Sequence, residues 1–301
     1  MQLQTHSPPS HEPVSDVTQR FREPPDGLIE ANGGAVAYRR FGSGPDVLFV
    51  HGWPCSGATY RALIPHLASH VTCHVIDLPG AGDSRFDGDT PLDLATHVDR
   101  IRVVIDELGL TDFAGVGHDS GGLMLRHAVV GDSRLRSLGL VDTEQSLGIA
   151  WPFRRLLMLA KVPGFTRLLT WAVMRPRLRR SNLLLGGCFA DSSLLDGEFE
   201  EFFLQPLRDD PAKARAAGRL AKAFDTDLVQ QLGDVHARLD VPVKLVWGEH
   251  DPYFPLDWTR AMVDTFPNAS LHVVKGMKLF VHEEAPAEVA DALLPTLLGR
   301  G

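Results

Sequence analysis

The chain of 301 residues is poor in cysteine, in basic charge and in long apolar runs, and each shortage argues against a class of protein. Its three cysteines, Cys55, Cys73 and Cys188, have no metal-site spacing and no even-numbered disulfide framework, so a reducing compartment is expected. The net charge of −8 argues against binding nucleic acid over a wide surface. No run of about 18 apolar residues occurs, so the sequence predicts no membrane-spanning helix.

The N-terminal segment lacks the apolar stretch of a signal peptide and is rich in proline and polar side chains. This composition predicts a mobile tail over residues 1–26. Together with the cysteine content it favours a cytoplasmic protein. The sequence has neither a cluster of metal ligands nor a phosphate-binding glycine pattern, so no metal and no cofactor are expected.

Short, β-branched apolar segments alternate with amphipathic segments over most of the chain. The amphipathic stretches 92–108 and 286–298 have the spacing of helices that bury one face. This alternation predicts an α/β fold with a mostly parallel sheet and helices on both faces. The predicted strands are residues 35–41, 46–50, 71–76, 112–116, 137–141, 243–247 and 269–274.

The alternation stops between two of these strands. Residues 146–215 have helical patterns and no convincing strand, so they are predicted to form a helical insertion. The core domain is then discontinuous and comprises residues 27–145 and 216–301.

The charge distribution within the insertion is uneven. Residues 151–180 contain eight Lys or Arg and no Asp or Glu. The favoured interpretation is a helix whose apolar face covers a pocket while its arginines stay solvated. An anionic or amphipathic ligand is a second interpretation, and contact with a membrane surface is the least favoured of the three.

The segment GVGHDSGG, residues 115–122, places a carboxylate at a predicted sharp turn between a strand and a helix. Glycines two positions before and two after the central residue permit a tight bend. That residue is Asp119, whose carboxylate could attack a carbon atom and form a covalent ester. Two alternatives stay open: Asp119 only caps the helix, or Ser120 is the nucleophile.

The segment HGWPCSG, residues 51–57, follows a predicted strand and would bring backbone N–H groups beside this turn. The N–H groups of Trp53 and Ser120 are the predicted donors to a developing oxyanion.

The segment GEHDPYFP, residues 248–255, presents Asp251 in a turn after another strand. An acid at this place could orient a histidine and stabilise its charged form. The alternatives are a purely structural turn aspartate and Glu144 as the acid.

The segments HGWP, DLPGAGDS (residues 77–84), GHDSGG and GEHDPYFP, in this order, resemble the α/β-hydrolase fold. They are most similar to its aspartate-nucleophile branch, the epoxide hydrolases and haloalkane dehalogenases. The resemblance implies an eight-stranded sheet and a helical cap, here residues 146–215, over an apolar pocket. It also implies Asp119 as the nucleophile and Asp251 as the acid, with Trp53 and Ser120 as oxyanion donors.

The segment KGMKLFVHEEAP, residues 275–286, departs from that pattern. The corresponding family segment resembles Gly-His-Phe-x-x-Glu-Glu-x-Pro, and aligning it without a gap puts Leu279 at the position of the catalytic histidine. Since that histidine activates the water that hydrolyses the ester, a stalled ester is the direct expectation. Three explanations remain: His282 swings in as the base, the chain is a disabled or naturally non-hydrolytic member, or the alignment is shifted.

The residues that would stabilise the leaving group also depart from the family pattern. The resemblance to epoxide hydrolases implies cap tyrosines that hydrogen-bond the epoxide oxygen. None of the three tyrosines lies in the predicted cap, and Tyr253 is the one expected near the pocket. His118 flanks the nucleophile and is a weaker candidate for the site.

The resemblance therefore implies a hydrolase that opens an epoxide or displaces a halide on a small apolar or amphipathic molecule. The alternative is a non-hydrolytic isomerase, cyclase or lyase, or a ligand-binding protein, in which Asp119 is a general base or an anchor. The oligomeric state is left open.

Overall fold

The computed structural model describes residues 14–299 of the chain. Its centre is a single eight-stranded sheet. The strands are β1 (Gly27–Ala31), β2 (Gly34–Gly42), β3 (Asp46–Val50), β4 (Thr72–Asp77), β5 (Phe113–His118), β6 (Leu135–Val141), β7 (Val243–Gly248) and β8 (Ala269–Val274).

The α-helices pack around this sheet and form the insertion between β6 and β7. They are α1 (Val14–Arg20), α2 (Ile64–Leu67), α3 (Leu94–Glu107), α4 (Ser120–Val129), α5 (Trp151–Ala160), α6 (Phe165–Val173), α7 (Pro176–Arg179), α8 (Gln205–Asp209), α9 (Pro211–Lys222), α10 (Thr226–Gln230), α11 (Leu232–Ala237), α12 (Leu256–Val263), α13 (Val281–Glu284) and α14 (Pro286–Leu297).

The strand order is β1-β2-β4-β3-β5-β6-β7-β8. The β1–β2 and β2–β4 pairs are antiparallel and the others are parallel. The predicted α/β class with a mostly parallel eight-stranded sheet is therefore confirmed. The seven strands predicted individually are all present, with ends within two residues of those observed.

The register of the central strands brings three loops together. Val50 of β3 pairs with Gly117 of β5, and His118 of β5 pairs with Val141 of β6. The loops that follow these strands leave the sheet side by side at its carboxyl edge, where open α/β sheets bind ligands. Strand β5 is buried along its whole length, in agreement with its continuous apolar sequence.

The predicted mobile tail is wrong for residues 14–26. Helix α1 lies in this segment, and Phe21 is buried with its ring centroid 5.3 Å from that of Phe41. The α1 sequence VSDVTQR is short and mostly polar, so the sequence shows little of this packing. Residues 1–13 lie outside the described part of the chain.

The helical insertion is longer than residues 146–215. Helix α9 (Pro211–Lys222) packs against α5 and α6 of the insertion and continues past the predicted end. The alanine-rich sequence of α9 gives no sign of which partner it packs on.

No single helix among residues 14–299 has the length and apolar character needed to cross a bilayer. Helices α5 and α6 meet such a test only as a pair, and they are bent by 113° at their junction.

Candidate active site

Asp119 occupies a sharp turn between β5 and α4. Its backbone has φ 52° and ψ −140°, a conformation that is rare for a residue with a side chain. Glycines make the close packing of this turn possible, since a Cβ on Gly121 would lie 2.2 Å from the Val50 carbonyl oxygen. A Cβ on Gly117 would lie 2.6 Å from Gly122 Cα. The predicted turn is present, and the surrounding structure holds its strained tip in place.

The Asp119 carboxylate is bound asymmetrically. Ser120 N donates to Oδ1 at 2.5 Å and Trp53 N donates to the same oxygen at 3.1 Å. Among the described residues no backbone N–H donates to Oδ2. The two N–H groups predicted as oxyanion donors thus converge on one oxygen of Asp119, and Trp53 N also lies 3.1 Å from Ser120 Oγ.

The environment of Asp119 raises its pKa. Burial is the largest cause and raises the pKa to about 6, against the hydrogen bonds from Ser120 and Trp53, which lower it. The carboxyl group therefore titrates near neutral pH and is mostly ionised at pH 7.

Asp119 lines a cavity of about 90 Å³ between the sheet and the insertion. Most of the other lining side chains are apolar, and they come from both parts of the chain. Trp53 lies on the wall, and its indole Nε1 donates to the Ala217 carbonyl oxygen at 2.9 Å. The insertion contributes Phe153, Leu156, Leu157, Ala160, Phe165, Leu169, Phe202, Phe203, Leu207, Leu220 and Phe224, among others.

Asp251 is placed after β7, as predicted, but outside the lining of this cavity. Tyr253 N and Phe254 N donate to its Oδ1 at 2.7 and 3.0 Å. Its Oδ2 has no hydrogen-bond partner among residues 14–299, and the carboxyl group interacts with that of Asp142. Burial raises the pKa of Asp251 to about 7.

Asp142 forms an acid pair with Asp251, and sequence analysis missed it. Gly248 N donates to Asp142 Oδ1 at 2.8 Å, and the carboxyl group is fully buried. Burial and the charge of Asp251 raise the pKa of Asp142 well above its ordinary value. Two adjacent buried carboxylates repel each other, so we expect the pair to hold one proton between them. The only sequence signal was an acid directly after β6.

Glu144, the alternative acid, is also buried near the site. Thr143 Oγ1 donates to its Oε2 at 3.1 Å. Burial and the charge of Asp119 raise its pKa to about 8. The fully buried Arg126 donates to the Glu144 carbonyl oxygen at 2.8 Å and offsets part of this negative charge.

His282 lies in the protein interior, near the end of β5 that leads into the Asp119 turn. Its Nε2 is 2.8 Å from Thr59 Oγ1, and its ring packs against Tyr60 and Phe280. The His118 ring is also adjacent, with the two ring centroids 4.2 Å apart. His282 is fully buried and, in the described structure, does not line the cavity.

The remaining predicted site residues also lie behind the cavity wall. His118 Nε2 donates to the Leu279 carbonyl oxygen at 3.1 Å, and the Leu279 side chain is in the hydrophobic core. Tyr253 is partly buried and hydrogen-bonds with Cys188. Within residues 14–299, the cavity lining includes Trp53 and Ser120 but not these residues.

Two histidines that were not predicted as site residues do line the cavity. His51 Nδ1 is 3.0 Å from the Gly52 carbonyl oxygen, and Leu78 N donates to its Nε2, so both ring nitrogens are engaged. His97 accepts from Arg100 at its Nδ1, which places its proton on Nε2. Burial lowers the pKa of His97 to about 3, so it stays neutral.

Among the described residues, no group of three or more His, Cys, Asp or Glu side chains is arranged to hold a metal ion. The three cysteines are free and buried. Beside the Asp119 carboxyl group and its two N–H donors, the cavity lining includes the polar residue Ser120.

Residues 45–286 match the family described as the alpha/beta hydrolase fold. The chain belongs to this family. The predicted resemblance to that fold is confirmed, and hydrolase chemistry is the activity class that the family supports.

The relatives of this α/β-hydrolase have different activities. A pimeloyl-[acyl-carrier protein] methyl ester esterase from Chromobacterium violaceum is 29% identical, covering 77% of this chain and 85% of its own. Haloalkane dehalogenase 2 from Mycobacterium bovis is 27% identical, covering 88% of this chain and 92% of its own. The structure of epoxide hydrolase CorEH superimposes with a TM-score of 0.76 at 22% identity, covering 90% of this chain and 98% of that one. That last likeness shows the fold.

The buried acids of this α/β-hydrolase should make its stability fall at alkaline pH. Burial raises the pKa of Asp142, Glu144 and Asp251, so the folded protein keeps protons that the unfolded chain releases. Below about pH 6.5 the buried neutral histidines oppose this effect, because unfolding lets them take up protons. The unfolding free energy is therefore expected to decline from about pH 6.5 to about pH 8.5, as measured by urea denaturation.

The Asp142→Asn variant is the matched control for this effect. An amide can donate to Asp251 without adding a second negative charge, so the alkaline decline should become shallower. An unchanged slope in a folded variant would contradict the shared proton.

Proposed function

We propose that this α/β-hydrolase uses Asp119 to attack an electrophilic carbon in a small apolar or amphipathic substrate, an alkyl halide or an epoxide. The observation that carries the proposal is the asymmetric binding of its carboxylate: two N–H groups hold Oδ1, and the residue lines an apolar cavity. The similarity to a haloalkane dehalogenase over most of both chains supports this choice of chemistry.

The first step forms an ester bond. An electron pair of Asp119 Oδ2 attacks the carbon, the carbon–halogen bond breaks, and the halide leaves with the bonding pair. With an epoxide, a ring carbon–oxygen bond breaks instead, and the alkoxide takes up a proton from water. The apolar wall formed by the insertion, which we propose is a cap, excludes most water and strengthens the attack.

The second step, hydrolysis of the ester, lacks a base at the expected place. Water must lose a proton as it attacks the Asp119 carboxyl carbon, and the oxyanion forms at Oδ1 beside Trp53 N and Ser120 N. Leu279 cannot accept the proton. His282 could do so only after leaving its contact with Thr59 Oγ1 and its buried position. We therefore propose that the ester accumulates and that hydrolysis is slow.

Intact-mass spectrometry after incubation with 1-bromobutane and 1,2-epoxybutane tests this function. One lasting adduct per chain is the expected result. Multiple turnovers that disappear in His282→Ala would show that His282 is the base. A methyl ester belongs in the same panel because one relative is an esterase, and turnover of it that depends on Ser120 would overturn the assignment of Asp119 as the nucleophile.

The rate of adduct formation is expected to depend on the ionisation of Asp119. Only the carboxylate is nucleophilic, so the rate should rise with pH through the Asp119 pKa of about 6 and then level off. Between pH 5 and pH 7 the predicted gain is about tenfold. Stopped-time mass spectra over a pH series measure it, and a flat profile would contradict attack by this carboxylate.

A second candidate function is proton abstraction by Asp119 in a non-hydrolytic reaction. The observation that favours it is the raised pKa of about 6 in an apolar cavity, which suits a general base. No ester would then form. Saturable ligand binding with exchange of a substrate C–H for deuterium, and without a mass adduct, would support this candidate over the first.

A further inference from the structure

The outer surface of helices α5 to α7 carries large apolar side chains that the protein leaves in solvent. Trp151 is 65% exposed, Leu168 59% and Trp171 50%. These side chains lie on the faces of α5 and α6 opposite those that line the cavity. The other exposed members of this set are Met158, Leu159, Val162, Leu178 and Leu183.

Basic side chains are interleaved with these apolar ones. Residues 151–180 have eight Lys or Arg and no acid, although the whole chain has a net charge of −8. Arg179 and Arg180 pair with Asp196. The other six form no ion pair with any residue between 14 and 299, and they are Arg154, Arg155, Lys161, Arg167, Arg175 and Arg177.

Helices α5 and α6 carry apolar side chains both on the side that faces the cavity and on the side that faces solvent. Phe153 and Leu157 of α5, and Phe165 and Leu169 of α6, face the cavity. Covering the cavity therefore accounts for the inner apolar positions but leaves the outer ones unexplained. An exposed surface with several tryptophans and leucines normally marks an interaction site.

We propose that this surface, the outer side of residues 151–183, docks on an anionic membrane surface. Tryptophan and leucine side chains enter the headgroup boundary of a bilayer, and interleaved arginines bind lipid phosphates while their stems remain in apolar surroundings. In this structure the Arg175 guanidinium lies over the Trp171 ring at 3.6 Å from its centroid. That pair can sit at the interface with its apolar ring inward and its charge at the headgroups.

The charge pattern separates a membrane from other occupants. A second copy of the chain would bring its own basic residues against this basic surface, which disfavours a symmetric dimer through it. Residues 1–13 contain a single acid, Glu12, so the N-terminal segment does not complement the surface. An anionic bilayer offers both an apolar boundary and a dense negative charge.

Sedimentation of the full chain with vesicles tests the proposal. Vesicles of phosphatidylcholine with phosphatidylglycerol should bind the protein. Vesicles of phosphatidylcholine alone should bind it more weakly, by a factor of about ten or more. Added salt should weaken the binding. Failure to bind the anionic vesicles at any lipid concentration used would overturn the proposal.

Two combined variants separate the apolar and the charged contributions. Trp151→Ser with Leu168→Ser and Trp171→Ser should lose most binding to both vesicles. Arg154→Glu with Arg155→Glu and Arg167→Glu should lose the preference for anionic lipid. These side chains are exposed, so folding should be retained and circular dichroism can verify it.

The matched control is Leu28→Ser with Lys275→Glu, which alters an exposed leucine and an exposed lysine elsewhere on the protein. Its vesicle binding should equal that of the wild type.

Two other results would count against a membrane. One is binding to polyglutamate with no binding to vesicles, which indicates an acidic protein partner. The other is a dimer in light scattering that the serine variant abolishes.

Discussion

Replacing Leu279 by His is expected to convert the proposed accumulation of the ester into repeated hydrolysis. A positioned general base contributes about 10²- to 10⁴-fold to proton transfer, so steady-state release of alcohol from 1-bromobutane should rise by about 10²-fold or more. The assay is product formation over many equivalents of enzyme, followed together with the fraction of adduct in the intact mass. The adduct should become transient as turnover appears.

The prediction depends on the surroundings of Leu279 and Asp251. The backbone at Leu279 is held by the hydrogen bond from His118 Nε2 to the Leu279 carbonyl oxygen. Asp251 has its Oδ1 bound by two N–H groups, and its Oδ2 has no hydrogen-bond partner among residues 14–299. An imidazole N–H at position 279 is expected to replace the proton expected between Asp142 and Asp251, which would leave Asp251 ionised and the second ring nitrogen free to accept a proton from water.

The matched control is Leu279→Gln, which places a polar but non-basic side chain at the same position. It should form the adduct and fail to release it. A folded Leu279→His variant that still forms the adduct but never turns over would show that Leu279 does not occupy the position of the base.

Replacing Asp119 by Asn is expected to abolish adduct formation. An amide oxygen is a poor nucleophile, and losing the attacking group of a covalent mechanism costs about 10⁴-fold or more in rate. The amide can still accept from Ser120 N and Trp53 N, so the turn and the cavity should be retained. Time-resolved intact mass with 1-bromobutane measures the loss.

Two controls belong with this variant. Asp112→Asn changes an exposed carboxyl group near the start of the same strand and should react like the wild type. Saturable binding of an unreactive analogue should survive in Asp119→Asn, because the apolar wall is unchanged. Adduct formation at the wild-type rate in that variant would mean that another group is the nucleophile.

Much of the fold could be read from the sequence because local patterns determine it. Strand β5 is buried on both faces and is continuously apolar in sequence, whereas β1 is an edge strand with alternating burial and was missed. Helix α1 was missed for a related reason, since a short polar segment gives no sign that Phe21 packs against the sheet.

The site was predictable only where sequence neighbours create it. The glycines around Asp119 and the loop at Trp53 are local features, and the structure brings these two residues together. The Asp142–Asp251 pair joins loops after two different strands, and the burial of His282 depends on Thr59 and Tyr60, far away in sequence. No spacing pattern in the sequence predicts such long-range contacts.

Locating the adduct by tryptic mapping tests the central claim most directly. Cleavage after Arg102 and Arg126 releases a peptide of residues 103–126 that contains Asp119 and other possible acceptors. After reaction with 1-bromobutane, fragmentation should place the alkyl group on Asp119. An alkyl group on Ser120, or on the acids Asp106, Glu107 or Asp112 with Asp119 unmodified, would contradict nucleophilic attack by Asp119.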